Sequence, residues 1–125
     1  MKVLIPYDKE FEYKKCKKMY EEYKSRVNDE ATFDEVIQKS FFYSFYDKTQ
    51  LTLCVYFYFS DGKLWVNGFG IRDKHLFNKC CFEESLRWFN CDIWANTEYR
   101  EVKWALLRCG FKKHDKNIYV FHQNK

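Results

Sequence analysis

Apolar and polar positions divide the middle of the chain into three extended stretches separated by turn signals. Residues 51–59 are apolar, aromatic or β-branched at almost every position, which is typical of a strand buried on both faces. Asp61-Gly62 comes next, and this dipeptide between two such stretches is a strong hairpin signal. With residues 42–46 before it and residues 64–71 after it, the pattern predicts a three-stranded antiparallel meander.

Before the meander, the pattern predicts one short strand and two helices. Residues 3–5 form the strand, and residues 9–27 form an amphipathic helix whose outer face carries lysines. Thr32 and Glu35 have the form of a capping box, so a second helix should begin at Phe33 and end before the meander.

After the meander, helices alternate with strands. Residues 76–90 and 100–109 have helical spacing, and Gly110 stands where a glycine commonly closes a helix. Residues 91–95 predict a strand between these helices, and residues 111–122 predict a last strand or hairpin. The inward positions expected for the two helices are Phe77, Cys81 or Phe82, Leu86 and Phe89, and then Val102, Ala105, Leu106 and Cys109.

The order β-α-α-β-β-β-α-β-α-β predicts one α+β domain over residues 1–125, built around a central and mostly antiparallel sheet. The net charge is +4, and the basic residues are interspersed with acidic ones along the chain. Dedicated nucleic-acid domains concentrate more positive charge than this. The six cysteines have no C-x-x-C spacing and the three histidines match no ligand spacing, so we expect reduced thiols and no metal. Because there is no secretory leader and no membrane-spanning apolar run, the sequence predicts a soluble, cytoplasmic protein with no membrane partner.

Two segments, together with the order of elements, carry a resemblance to a known family. Residues 92–96 and 104–111 resemble the fifth strand, the fourth helix and the closing Gly-Phe of the GNAT superfamily of acyl-CoA-dependent N-acyltransferases. Residues 72–77, Arg-Asp-Lys-His-Leu-Phe, stand where that superfamily keeps its pyrophosphate loop, R/Q-x-x-G-x-G/A. The resemblance implies a GNAT-like fold that transfers an acetyl or other acyl group from acetyl-CoA to a small amine or a protein amine.

The resemblance also implies roles for individual residues. Tyr99 is the candidate acid that protonates the leaving thiolate, and Asp92, Glu98 or His75 is the candidate base that deprotonates the incoming ammonium. Alternatively, Tyr99 packs beside the helix, Asp92 is a strand-edge charge and Glu98 is an acid at a helix start. Backbone N–H groups at the turn would polarise the thioester carbonyl and hold the pyrophosphate. The implied cofactor-binding positions are Ile71, Arg72, Asp73, Lys74, His75, Leu76 and Phe77.

Three positions depart from the family pattern and favour a second hypothesis. His75 and Phe77 stand where the family has small residues, which let a pyrophosphate approach the backbone. Leu106 stands where many members have the tyrosine that protonates the thiolate. The second hypothesis is therefore a catalytically inactive GNAT-fold protein that binds a protein partner. It would resemble small divergent members encoded by phages and other mobile elements.

A third hypothesis is nucleic-acid binding, because aromatic residues and lysines interleave along the chain. The rings of residues 42–46 and 56–58 would stack on bases from a sheet face. The apolar character of residues 51–59 argues instead for a buried strand. If the first hypothesis holds, we expect the turn at residues 72–77 to be open to solvent and Phe77 not to fill the cleft beside it.

Overall fold

The computed structural model describes residues 1–27 and 31–123, with only the backbone described at residues 26 and 27. Within these residues, four α-helices pack on an open sheet of seven strands, which is an α+β fold. The strands are β1 (Lys2–Leu4), β2 (Phe41–Asp47), β3 (Gln50–Ser60), β4 (Lys63–Gly70), β5 (Ile93–Asn96), β6 (Lys112–Lys113) and β7 (Ile118–Phe121). The helices are α1 (Tyr13–Val27), α2 (Phe33–Lys39), α3 (His75–Leu86) and α4 (Arg100–Arg108), and a 3-10 turn (Arg72–Lys74) precedes α3.

The strands lie in the order β1-β2-β3-β4-β5-β7-β6, and every neighbouring pair is antiparallel except β4 with β5. The predicted meander is confirmed as β2, β3 and β4. Asp61 and Gly62 both have positive φ, 53° and 72°, as the two central residues of a tight hairpin turn require. The last predicted element is a hairpin of β6 and β7.

Two hydrophobic clusters cover the two faces of the sheet. On one face, side chains of α3 and α4 pack against alternate residues of β3, β4 and β5, including Val55, Leu64 and Ile93. On the other face, α1 and α2 pack against Tyr56 and Phe69 among others. Strand β3, the middle strand of the meander, is buried over seven consecutive residues because it lies between the two clusters. No helix of the described residues is both long and apolar enough to cross a membrane.

A β-bulge in β3 interrupts the regular alternation. Phe45 pairs with Leu53 while Tyr46 pairs with Leu51, so Thr52 is the extra residue. Its side-chain hydroxyl donates to the carbonyl of Phe45 at 3.4 Å. The bulge turns the backbone of Thr52 towards the end of β4, where the candidate site lies.

The helix boundaries follow local capping chemistry. The capping box at Thr32 and Glu35 is confirmed, because each side chain accepts a hydrogen bond from the backbone N–H of the other residue at 3.1 Å. The first helix begins at Tyr13 and not at residue 9. The preceding residues form turns, in which the carboxylate of Asp8 accepts the N–H of Ile5 at 2.8 Å.

The predicted inward faces of α3 and α4 are only partly right. Cys81 and Leu86 are buried as expected, and Phe77 and Phe82 pack at the margin of the core. The helix ends at Leu86 and not at residue 90, so Phe89 packs at the margin from beyond the helix. On α4, Leu106 and Cys109 are buried, but Val102 is 43% exposed and Ala105 is exposed. The apolar residues of α4 therefore occupy a wider face of the helix than the part that contacts the sheet.

The end of α4 matches the expectation for Gly110. Its φ is +97°, and its N–H donates to the carbonyl of Leu107 at 3.2 Å. The N–H of Phe111 donates to the carbonyl of Leu106 at 3.0 Å. These two bonds form a Schellman motif, so Gly110 occupies the C′ position.

Candidate functional site

The strands β4 and β5 separate soon after they begin. Along one edge, β4 pairs with β3 over its whole length, from Lys63 to Gly70. It pairs with β5 only at Leu64–Ile93 and Trp65–Trp94, while β5 continues to pair with β7 as far as Asn96. Because β4 and β5 are parallel, their unpaired lengths lie at their carboxyl ends, and we call the space between these two ends the cleft. Within the described residues, the β5-facing edge of β4 beyond Trp65 has no strand partner.

The turn after β4 stands at the open end of this cleft. Arg72, Asp73, His75 and Leu76 are exposed, and Leu76 is 69% exposed. Phe77 is half-buried and packs against the core cluster beneath α3. The turn is therefore open to solvent, which is one of the two conditions that the acyltransferase hypothesis set.

Several backbone N–H groups of this turn are already hydrogen-bonded. The N–H of Ile71 donates to the carbonyl of Thr52 at 3.0 Å, and that of Lys74 to the carbonyl of Ile71 at 3.4 Å. The N–H of His75 donates to the carbonyl of Arg72, so the 3-10 turn runs directly into α3. An anion at this turn would meet fewer N–H donors than a glycine-rich pyrophosphate loop offers.

A close contact between β4 and α3 determines where the turn lies. The Asn78 amide Nδ2 donates to the carbonyls of Thr52 at 3.1 Å and Ile71 at 3.2 Å. A Cβ atom on Gly70 would lie 2.7 Å from the Thr52 carbonyl oxygen and 2.8 Å from Asn78 Nδ2. Glycine is therefore the residue that fits at position 70.

Asn78 was not singled out in the sequence. It is 9% exposed, and its Oδ1 atom is buried without a hydrogen-bond partner among the described residues. In the sequence, Asn78 is recognisable only as a polar residue one turn before Cys81, on the apolar face of the predicted helix. The role of Asn78 in joining α3 to the bulge depends on tertiary contacts that periodicity does not reveal.

The charges around the turn divide into paired and unpaired groups. Lys74 Nζ lies 2.9 Å from Asp47 Oδ2, and this hydrogen bond lowers the pKa of Asp47. Lys74 is thereby directed towards the β2–β3 turn. Within residues 1–27 and 31–123, neither Arg72 nor His75 takes part in an ion pair. Arg72 is therefore the cation of the turn that has no carboxylate partner in the described fold.

A groove lies beside the turn on the α1 side of the sheet. It has a volume of about 560 Å³ and runs between α1 and the end of β4. Lys15, Lys18 and Glu22 line it from α1, and Gly70 and Arg72 line it from the strand and turn. The groove gives a ligand at Arg72 room to extend towards α1.

The structure separates the candidate catalytic residues into two groups. Glu98 and Tyr99 follow β5, so they lie at the same end of the sheet as the turn, and Tyr99 is the N-cap of α4 and 43% exposed. Asp92 precedes β5, beside the first residues of β4, roughly 25 Å along the strand from Arg72. Its carboxylate contacts His122 Nδ1 at 2.9 Å and accepts the N–H of Gln123 at 3.2 Å.

The six thiols differ in exposure. Cys80 and Cys91 are exposed, whereas the other four cysteines are buried. Burial raises the pKa of Cys81 and Cys109 to about 11, so both are protonated thiols near neutral pH. Among the described residues, no group of three or more His, Cys, Asp or Glu side chains is arranged to hold a metal ion.

The rings proposed for base stacking are mostly inside the protein. Two of the seven rings in residues 42–46 and 56–58, Tyr43 and Tyr58, are partly exposed. The other five are at most 4% exposed, so bases cannot reach them, and the prediction was wrong for these five. They are Phe42, Phe45, Tyr46, Tyr56 and Phe57.

Comparison with known proteins adds a likeness of fold. Neither a protein-family profile nor a curated protein sequence matches the chain. Among solved structures, the crystal structure of smu.2055 from Streptococcus mutans UA159 is similar, with a TM-score of 0.55 and 11% sequence identity. The match covers 74% of this chain and 78% of that chain. At this identity the similarity concerns the fold alone.

Proposed function

We propose that the protein transfers an acyl group from acyl-CoA to an amine, using the cleft between β4 and β5. The observation that carries the proposal is the early end of the β4–β5 ladder, which leaves an edge of β4 without a strand partner among the described residues, beside an exposed helix start. Main-chain groups at such an edge can hydrogen-bond an extended, amide-containing ligand as a further strand would. The order of elements and the single parallel pair of strands also support a GNAT-like fold.

The turn after β4 is the proposed site for the phosphate end of the ligand. Arg72 is exposed at the start of α3, where the helix dipole favours an anion. Because the N–H groups of Ile71, Lys74 and His75 already donate to backbone carbonyls, they are less able to bind phosphate. The guanidinium of Arg72 would therefore contribute a larger share of the binding than the family loop implies. The proposal therefore assigns the pyrophosphate to the exposed guanidinium of Arg72 at the beginning of the turn.

Glu98 and Tyr99 are the proposed groups for proton transfer. Acyl-CoA supplies an activated thioester. The Glu98 carboxylate would accept a proton from the ammonium of the acceptor, since only the neutral amine attacks. The Tyr99 phenol would donate a proton to the departing thiolate as the C–N bond forms and the C–S bond breaks, and the phenolate would take back the second proton that leaves the new amide nitrogen. Asp92 has no part in this proposal, because it lies at the other end of β5.

A second candidate function is that of a GNAT-fold protein that binds a protein partner without catalysis. The hydrogen-bonded N–H groups of the turn favour it, and so does Leu106. This leucine is 5% exposed and packs in the core, at the position where many family members have the proton-donating tyrosine. Binding of acyl-CoA distinguishes the two functions.

Calorimetric titration with acetyl-CoA and with CoA tests the proposal. We expect micromolar binding by the wild-type protein, about −8 kcal/mol, and roughly tenfold weaker binding by Arg72→Ala. Arg87→Ala is the matched control, because Arg87 is exposed at the opposite end of α3. If the folded wild-type protein binds neither ligand, the acyltransferase proposal is wrong and the second candidate takes its place.

A further inference from the structure

One face of the sheet carries aromatic side chains outside both core clusters. Along β4, Leu64 and Val66 point into the core beneath α3, so Lys63, Trp65 and Asn67 lie on the opposite face. That face is covered by α1 and α2 only over the strands up to β4 and near Phe69. Trp65 and Trp94 belong to neither core cluster, and both are partly exposed.

Trp65 and Trp94 form a row across the sheet with Tyr58, which packs against the cluster under α1 and α2, and we call these three rings the ring row. Tyr58 pairs directly with Trp65, and Trp65 pairs directly with Trp94, so the three lie on adjacent strands spaced about 4.8 Å apart. The centroids of the two indoles are 6.2 Å apart. Trp65 is further held by its Nε1, which donates to the carbonyl of Ser60 at 3.0 Å.

Basic side chains surround the ring row. Lys63 Nζ lies 5.2 Å from the centroid of Trp94, and the ring of His114 meets Trp94 edge-on at 4.8 Å. Lys112 lies on the same face, because it pairs with Val120, which in turn pairs with Trp94. A ligand for this surface must therefore offer flat apolar faces together with negative charge.

We propose that the ring row binds single-stranded nucleic acid, with bases stacked on Trp65 and Trp94 and phosphates against Lys63 and Lys112. Stacking on a row of aromatic side chains beside cations is the usual way in which proteins hold unpaired strands. A duplex keeps its bases stacked on one another, so it cannot use these rings. A cationic ligand would compete with Lys63 for Trp94. This inference rests on the sheet register and does not depend on acyl transfer.

Fluorescence anisotropy with labelled 12-residue oligo-U and oligo-dT, titrated at low salt without any acyl-CoA, tests the inference. We expect Trp65→Ala to weaken binding by about tenfold or more, since each stacked base contributes strongly. Trp104→Ala is the matched control, because Trp104 is 57% exposed on α4, outside the ring row. Preference for either oligomer supports the inference and identifies RNA or DNA as the ligand.

A second variant tests the proposed phosphate contact without removing an aromatic ring. Lys63→Ala should lower the slope of log affinity against log salt by about 0.7 if one phosphate contact is lost. Lys39→Ala, at the exposed end of α2, should leave the slope unchanged. Three results would overturn the inference: no binding of either oligomer at low salt, equal effects of Trp65→Ala and Trp104→Ala in folded variants, or equal competition by polyglutamate. The last result would indicate an acidic protein partner.

Discussion

Gly70→Ala is the substitution that most directly tests how the candidate site is built. The new methyl group would lie 2.7 Å from the Thr52 carbonyl oxygen and 2.8 Å from Asn78 Nδ2, so the backbone or α3 must move. Overpacking of this kind costs about 1–3 kcal/mol, and each hydrogen bond of Asn78 that is lost costs about 1 kcal/mol more. Replacing glycine with alanine returns about 0.4–1 kcal/mol through the unfolded chain. The expected net loss is about 2–3 kcal/mol.

Gly68→Ala is the matched control, in the same strand and two residues earlier. A Cβ atom at Gly68 would lie 3.4 Å from the carbonyl oxygen of Cys54 and 3.7 Å from Val55 Cγ2, which are ordinary contacts. We expect the free energy of unfolding of Gly68→Ala to stay within about 0.5 kcal/mol of the wild-type value. In the same buffer, Gly70→Ala should melt about 10 °C lower.

Urea denaturation followed by circular dichroism measures both variants, and calorimetry gives the melting temperatures. If Gly70→Ala is as stable as Gly68→Ala, then α3 can move away from β4 without cost. Asn78 would in that case not fix the position of the turn. If Gly70→Ala folds but is destabilised as expected, its acetyl-CoA affinity shows whether the proposed site depends on the same contact.

Three other predictions concern charge, thiols and catalysis. Hydrogen bonding to Lys74 lowers the pKa of Asp47, so this pair stabilises the fold above about pH 4 and ceases to do so as the pH falls through the lowered pKa. Asp47→Asn should therefore show a shallower loss of urea midpoint on acidification than wild type, and an unchanged acid profile would contradict the pairing. In the native protein, a thiol reagent should react rapidly at Cys80 and Cys91 alone, whereas all six thiols should react in denaturant. Fast labelling of a third thiol in the native protein would show that a buried cysteine is accessible. If the acyltransferase proposal holds, Tyr99→Phe should lower kcat about 100-fold without changing the affinity for acetyl-CoA, as measured by the release of CoA. An unchanged kcat would show that Tyr99 has no part in the mechanism.

The sequence predicted the meander well because its signals are local. Asp61-Gly62 determines the hairpin turn, and an uninterrupted apolar stretch marks β3 as buried on both faces. The capping box and Gly110 are equally local, and both lie where they were expected. Each of these features depends on residues that are close together in the sequence.

Features that depend on tertiary contact were predicted less well. The apolar spacing of α4 does not reveal that only Leu106 and Cys109 reach the sheet, so Val102 was placed inside and is exposed. For the candidate site, the location of the turn was predicted. Its hydrogen bonds to Thr52 were not, because they require a bulge in a different strand.

The geometry of β4 explains why both proposed binding surfaces adjoin this strand. Backbone polar groups in a folded protein are almost always hydrogen-bonded, to the protein, to water or to a ligand. One edge of β4 is fully paired with β3, but the other is paired with β5 only as far as Trp65. Within residues 1–27 and 31–123, no strand pairs with that edge beyond Trp65, so its main-chain groups are left to water, side chains or a ligand. Trp65 is thus both the last residue of the ladder, where the cleft begins, and a member of the ring row on the open face.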